Sequence, residues 1–133
     1  PLPVLVANAD RLAKAPIPVV LDHYGVNAGF RPDRGEGRAL IDLMREGHVW
    51  MKLSAPYRSS VHELETRPDR DWLAAFLDAA PERCVWGSDW PHPGPKVHPD
   101  DAVLFDLLAE WASDEKTRNR ILVDNPKKLY GFA

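Results

Sequence analysis

Two residues that could do chemistry follow apolar runs far apart in the chain. His23 ends the run 18–23, and Asp89 ends the run 84–89 among tight-turn residues. Short, continuous runs rich in β-branched or apolar residues are typical of buried strands in a parallel sheet. Catalytic acids and metal ligands collect at the carboxyl ends of such strands. We therefore expect an imidazole and a carboxylate to share one site.

Each residue also has a purely structural interpretation. Asp89 could bond backbone amides as a turn residue, and His23 could be a buried histidine satisfied by Asp22 or by the backbone. Lys52 lies within another apolar run, where a lysine requires a partner, so it is interpreted as structural support. Spacing alone leaves the functional and structural interpretations open.

The apolar patterns predict strands and helices in alternation. Strands are predicted at 18–23, 49–54 and 84–89, and helices at 5–15, 39–47, 69–80, 100–111 and 113–123, with a final turn from 125 to 131. Asp69 or Asp71, Asp100 or Asp101, and Ser113 are the candidate helix caps. Because strands joined through helices run parallel, the three strand ends are predicted to meet at one edge of a sheet.

Composition excludes several classes of function. The chain has 133 residues, 44% of them hydrophobic and 28% charged, which is typical of one globular domain. A net charge of -3 gives no general attraction to nucleic acid or to an anionic membrane. The sequence shows neither a membrane-spanning stretch nor a signal pattern, so a cytoplasmic location is predicted. The single cysteine, Cys84, excludes a Cys-based zinc site and is predicted to be a small buried residue.

Four segments in chain order resemble a known family. They are DHYG at 22–25, WMKLSAPYR at 50–58, WGSDWPH at 86–92 and NPKKLYGF at 125–132. Together they resemble successive motifs of the amidohydrolase-2 group, TIM-barrel hydrolases, and most of all its 2-pyrone-4,6-dicarboxylate lactonase-like members. The resemblance implies an α/β fold: a partial (β/α)₈ barrel with about three parallel strands and flanking helices. Residues 1–133 would then be the C-terminal part of the barrel, with strands six to eight.

The resemblance departs from the family in one respect. An entire barrel of this kind takes about 250 residues. The family's His-x-His pair on the first strand has no counterpart among the five histidines, which are His23, His48, His62, His92 and His98. Much of the family's site is therefore expected to come from strands that this chain does not contain.

The resemblance implies roles for five residues. Asp89 would act as the general base on water or bind a metal, and His23 would hold a metal or polarise the substrate carbonyl. Arg58 would grip a substrate carboxylate through its planar guanidinium, with the Tyr57 hydroxyl beside it. His92 would orient Asp89 or contact the substrate. The structural alternatives are a solvated loop arginine and a locally packed histidine.

The implied function is a hydrolase that opens a lactone or ester of a small carboxylated compound. A divalent metal such as zinc, held by Asp89 and His23, is implied by some relatives, and a metal-independent site by others. One alternative is a metal-dependent decarboxylase of an aromatic acid on the same scaffold. Another is a non-catalytic partial domain that needs a partner chain or forms a homo-oligomer, because three parallel strands leave two open edges. Activity of this chain alone is not expected.

Overall fold

The three predicted strands form one parallel sheet. The computed structural model describes residues 1–59, 70–95 and 98–132. Within these residues the strands are β1 (Val19–Leu21), β2 (Val49–Leu53) and β3 (Cys84–Trp86), in the order β1-β2-β3. Val19 pairs with Val49, and Met51 pairs with Cys84. The predicted parallel arrangement is confirmed, and all three carboxyl ends lie at one edge.

The outer strands are shorter than the sequence predicted. Strands β1 and β3 each have three residues, so His23 and Asp89 lie beyond the strand ends. His23 opens a short 3₁₀ turn, His23–Gly25. Its φ is 55° and that of Asp89 is 69°, values that an extended strand does not allow. The two residues are therefore presented by turns at the sheet edge and not by the strands themselves.

Seven α-helices flank the sheet in the described residues. They are α1 (Leu2–Ala7), α2 (Ala9–Ala13), α3 (Gly35–Arg45), α4 (Arg70–Ala79), α5 (Asp101–Trp111), α6 (Glu115–Asn119) and α7 (Asn125–Tyr130). The prediction of a single helix at 5–15 was wrong. The helix is interrupted at Asn8, whose φ is -113° and ψ is 16°, so α1 and α2 are separate. Residues Arg120–Asp124 form a wider helical turn that joins α6 to α7. No described helix combines the length and apolar composition that a bilayer crossing demands.

The predicted helix caps are partly confirmed. Asp100 caps α5 by accepting a hydrogen bond from the backbone N–H of Ala102 at 2.8 Å. The prediction that Ser113 caps the next helix was wrong. Asp114 occupies the position before α6, and its carboxylate accepts a hydrogen bond from the Thr117 N–H. The prediction of Asp71 as a cap was also wrong, since Asp71 lies within α4. Asp69 lies outside the described residues.

The core lies between the sheet and the helices. Leu40 and Met44 of α3 and Phe76 of α4 are fully buried together with Met51 of β2. The Cys84 thiol is buried beside them, and burial raises its pKa to about 12. A thiol with this pKa carries almost no thiolate at neutral pH, so the prediction that Cys84 is a small packing residue is confirmed.

Asn125 connects the last helix to the sheet. Its side-chain amide donates to the carbonyl oxygens of Pro81 and Cys84, at 2.8 and 2.6 Å. Asn125 is only 3% exposed and Cys84 is fully buried, so the Cys84 carbonyl would find little water if the amide were removed. This pair of bonds fixes α7 against the start of β3.

We expect Asn125→Leu to lower the free energy of unfolding by about 2–4 kcal/mol, because it leaves two carbonyl oxygens without their donor, one of them at the fully buried Cys84. Urea unfolding followed by circular dichroism measures the change. Lys128→Ala on the exposed side of the same helix is the control. Equal urea midpoints for the two variants would contradict the structural importance of Asn125.

Candidate active site

A polar cavity of about 330 Å³ lies at the carboxyl edge of the sheet. Both His23 and Asp89 line it, so the two residues that the sequence singled out are neighbours in space. The complete lining is Asp22, His23, Lys52, Ser54, Gly87, Ser88, Asp89 and Trp90. A larger groove of about 710 Å³ runs along α1 and α2, and its lining contains neither His23 nor Asp89. The chemistry-bearing residues therefore point to the smaller, polar cavity.

The two carboxylate oxygens of Asp89 have different surroundings. Oδ2 accepts hydrogen bonds from the Tyr57 hydroxyl at 2.6 Å and from Arg58 Nε at 3.4 Å. Oδ1 lies 3.7 Å from Nε2 of His23. The side chain is 13% exposed, and its contacts are with side chains from two other strand ends. One oxygen is held by donors, while the other remains beside the imidazole.

His23 is held by two serines. Its Nδ1 lies 3.0 Å from the Ser54 hydroxyl, and its backbone carbonyl accepts a hydrogen bond from the Ser59 hydroxyl at 2.7 Å. A hydroxyl can donate or accept, so Ser54 supports either neutral tautomer. Burial lowers the pKa of His23 more than the neighbouring Asp89 carboxylate raises it. The imidazole is therefore mainly neutral at pH 7, with Nε2 directed towards Asp89.

Tyr57 and Arg58 come from the 3₁₀ turn Pro56–Arg58 that follows β2. Burial and the hydrogen bond to Asp89 raise the pKa of Tyr57 well above its ordinary range, so its hydroxyl keeps its proton. The guanidinium of Arg58 contacts Asp89 and also donates to the carbonyl oxygen of Pro93. Both side chains contact Asp89 and are absent from the cavity lining. Their predicted contact with substrate stays a prediction.

His92 lies behind Tyr57. It is 4% exposed, and its Nδ1 is 3.2 Å from the Tyr57 hydroxyl oxygen. Its Nε2 is 3.1 Å from Oδ1 of Asp101, at the start of α5. Its backbone N–H donates to the carbonyl oxygen of Asp89 at 2.6 Å. The structure thus joins His92 to the Asp89 turn, and its predicted role towards a substrate stays a prediction.

Sequence reasoning did not assign a role to Ser54. Ser54 is the first residue after β2, just as Asp22 is the first residue after β1. This position directly after a strand is the sequence signal that could have marked Ser54 as a site residue. Lys52 forms an ion pair with Asp22, with 2.6 Å between Nζ and Oδ1. The partner that a lysine in this strand was expected to need is therefore Asp22.

The geometry offers part of a metal site. Two ligands of a tetrahedral zinc lie roughly 3.4 Å apart, given zinc–ligand bonds of about 2.0–2.2 Å. Nε2 of His23 and Oδ1 of Asp89, at 3.7 Å, come close to that separation. The described residues contain no group of three or more His, Cys, Asp or Glu side chains suited to holding a metal ion. They supply two donors and not a complete site.

The sequence of the chain also matches the profile of a known protein family. The sequence profile described as Amidohydrolase covers residues 2–132. The chain belongs to the amidohydrolase family. The recognition that the four sequence motifs suggested is thereby confirmed.

Named relatives of this amidohydrolase chain act on lactones. The 4-sulfomuconolactone hydrolase of Hydrogenophaga intermedia is 39% identical over 127 residues, which are 92% of this chain and 42% of the relative. The D-galactarolactone isomerase of Agrobacterium fabrum is 39% identical, over 97% of this chain and 46% of the relative. A 2-pyrone-4,6-dicarboxylate hydrolase of Comamonas testosteroni is 36% identical, over 91% and 43%. The chain spans less than half the length of these relatives.

Solved structures share the fold. An apo crystal structure from Agrobacterium tumefaciens matches with a TM-score of 0.80 and 38% identity, over 97% of this chain and 47% of that one. A Burkholderia multivorans amidohydrolase with bound zinc matches with a TM-score of 0.72 and 27% identity, over 99% and 49%. The prediction of a partial TIM barrel is confirmed. The assignment of its strands as six to eight stays a prediction.

We expect the His23 imidazole to titrate below its ordinary pKa of 6.5, because burial disfavours the imidazolium. Asp89→Asn is expected to lower the pKa further, since it removes the carboxylate that favours the charged form. NMR titration of the ring signals measures both values, with Asp78→Asn on the exposed side of α4 as the control. A pKa that rises in Asp89→Asn would contradict the contact between the two side chains.

Proposed function

We propose that the protein hydrolyses a lactone of a small anionic compound, with Asp89 as the general base. The observation that carries this proposal is the division of the Asp89 carboxylate: Oδ2 is occupied by Tyr57 and Arg58, while Oδ1 lies beside His23 at the cavity. A general base needs one oriented, accessible oxygen, and this arrangement supplies it. Two of the named relatives are hydrolases of lactone-type compounds.

The proposed reaction begins with a water molecule between Asp89 and the lactone carbonyl. Oδ1 of Asp89 takes a proton from the water, whose oxygen forms a bond to the carbonyl carbon. The carbonyl electron pair moves to its oxygen, which accepts a hydrogen bond from Nε2–H of His23. When the carbonyl re-forms, the ring C–O bond breaks and the leaving oxygen takes the proton back from Asp89. All protons are then accounted for.

This reaction requires the neutral His23 tautomer with its proton on Nε2. Nδ1 must then accept a hydrogen bond from the Ser54 hydroxyl, which is 3.0 Å away. Burial keeps the imidazole neutral, because it lowers the pKa of His23. Ser54 would thus be the residue that selects the tautomer.

The names of the relatives, more than the charges of the cavity, favour an anionic substrate. Lys52 lines the cavity in an ion pair with Asp22, and Arg58 contacts Asp89 from the neighbouring turn. The printed names of two relatives include a sulfo group and a dicarboxylate, which are both anionic. Arg58 remains the residue proposed to bind such a group, with Tyr57 and His92 beside it. The substrate class proposed here is a carboxylated or sulfonated lactone.

A divalent metal is an alternative to the hydrogen bond from His23, because Nε2 would have to be unprotonated to bind it. Zinc is bound in one amidohydrolase of the same fold. Nε2 of His23 and Oδ1 of Asp89 are the donors that this chain would contribute. A bound zinc would supply a Lewis acid and a more acidic water. A complete ligand set would need donors beyond those described in this chain.

Lactone isomerisation is the second candidate, because one relative at 39% identity is a D-galactarolactone isomerase. The same Asp89 could take a proton from a substrate group in place of water. Reaction in ¹⁸O-labelled water separates the two reactions, since hydrolysis incorporates one labelled oxygen and isomerisation incorporates none. Aromatic decarboxylation, a non-catalytic role for the isolated chain and homo-oligomer formation stay predictions.

We expect Asp89→Asn to reduce kcat for lactone opening about 10²–10⁴-fold, because an amide cannot accept the proton of water. The change is measured with a panel of carboxylated and sulfonated lactones, by following acid release. Asp78→Asn is the matched control, because it makes the same chemical change on an exposed helix face. Full activity in Asp89→Asn would rule out this base.

A further inference from the structure

Residues 23–26, which we call the His23 turn, have a left-handed backbone. The φ values of His23, Tyr24, Gly25 and Val26 are 55°, 54°, 73° and 49°. Glycine adopts this conformation readily, whereas the Cβ of any other L-residue comes too close to backbone atoms. Val26 is also branched at Cβ, which makes its positive φ a clear outlier. Three of the four residues are therefore held in a conformation that they do not favour on their own.

Packing holds the middle of the turn. Tyr24 is 1% exposed, and its ring centroid lies 6.5 Å from that of Phe76 and 6.3 Å from that of Trp111. Gly25 lies so close to Leu40 that an added Cβ would be 3.1 Å from the Leu40 Cδ2 atom. These contacts belong to the second and third residues of the turn, and not to the first residue, which carries the imidazole.

The Ser59 hydroxyl holds that first residue. It donates to the His23 carbonyl oxygen at 2.7 Å, and the direction of this bond is fixed because a carbonyl oxygen can only accept. The same oxygen accepts from the backbone N–H of Val26 at 2.8 Å, which closes the turn. Ser59 is 6% exposed, and its own N–H donates to the carbonyl oxygen of Pro56 at 3.0 Å. Ser59 therefore joins the turn after β1 to the turn after β2.

This bond connects the two groups of side chains that meet at Asp89. Ser59 directly follows the 3₁₀ turn Pro56–Arg58, two of whose side chains contact Oδ2 of Asp89. His23 places its Nε2 atom 3.7 Å from Oδ1 of the same carboxylate. Ser59 is absent from the cavity lining. One hydroxyl outside the cavity thus ties the imidazole to the donors that orient the proposed base.

We propose that Ser59 is a positioning residue that keeps the His23 turn left-handed and so fixes the distance between Nε2 of His23 and Oδ1 of Asp89. This inference rests on the proposed function of Asp89. Ser59 acts through the backbone of His23 and does not contact the reacting atoms. Its role differs from that of Ser54, which contacts the imidazole ring itself.

The first test compares kcat and KM of the protein on the lactone that it opens fastest. Ser59→Ala is expected to lower kcat about tenfold, since a displaced imidazole loses rate, and to change KM less than about twofold. Ser59→Thr keeps the hydroxyl and is expected to recover most of the rate. Ser113→Ala, at an exposed position, is the control with unchanged kcat. Unchanged kcat in Ser59→Ala, or equal losses in the Ala and Thr variants, would overturn the inference.

A second test addresses the strain in the turn. Asn tolerates the left-handed conformation better than Val, so Val26→Asn is expected to restore kcat of the Ser59→Ala variant about threefold. Val123→Asn makes the same change at an exposed position outside the turn and is expected to restore nothing. Equal kcat values in the two double variants would overturn the inference.

The strain can also be measured if Ser59→Ala does not fold. In the otherwise unchanged protein, Val26→Asn is expected to raise the urea midpoint and Val123→Asn is not, because only the first substitution relieves a positive φ. A midpoint that Val26→Asn leaves equal to that of Val123→Asn would overturn the inference.

A measurement without substrate separates this inference from the proposed function. The NMR coupling between the amide and α protons reports φ, and in Ser59→Ala the couplings of Tyr24 and Val26 are expected to leave their left-handed values. Unchanged couplings would overturn the inference. If Asp89→Asn is fully active, the proposed function fails while the NMR result still stands. If Asp89→Asn is inactive and Ser59→Ala is fully active, the inference alone fails.

Discussion

The carboxylate of Asp89 is the point at which the ends of all three strands meet. Tyr57 and Arg58 reach it from the turn after β2, and His23 reaches it from the turn after β1. The parallel register of the strands makes this possible, because it places their carboxyl ends side by side. Without that register, the Asp89 carboxylate, the imidazole and the donors would come from separate parts of the surface.

The turns at these strand ends share a backbone conformation. His23, Ala55, Asp89 and His92 all have φ between 45° and 69°, which L-residues with a side chain adopt at a cost of about 1–2 kcal/mol each. Such residues persist only where the surrounding contacts hold them. Here the contacts are the hydrogen bonds of the site itself, such as Ser59 to the His23 carbonyl and His92 to the Asp89 carbonyl. The conformation that presents the side chains and the bonds that join them therefore support each other.

The arrangement also suits a carboxylate that is proposed to act as a base. Hydrogen bonds that orient a carboxylate also lower its basicity. A carboxylate without such bonds is more basic but is free to turn away from the substrate. Placing Tyr57 and Arg58 on one oxygen and leaving His23 beside the other separates orientation from chemistry. A neutral His23 fits the proposed role of Asp89, because an imidazolium at 3.7 Å would lower the basicity of the carboxylate.

The amino-acid sequence alone determined the α/β class, the parallel strands, the shared edge of His23 and Asp89, and the amidohydrolase family. These features follow from local patterns, because apolar runs, helical spacing and short motifs each involve residues that are close together in the sequence. Only the tertiary structure decided that the strands stop before His23 and Asp89, that Asp114 and not Ser113 caps α6, and that Asp22 pairs with Lys52. It also decided that Ser54 holds the imidazole and that Asp101 lies beside His92. These contacts join residues whose distance in space depends on strand register and turn geometry, and no local pattern specifies either one.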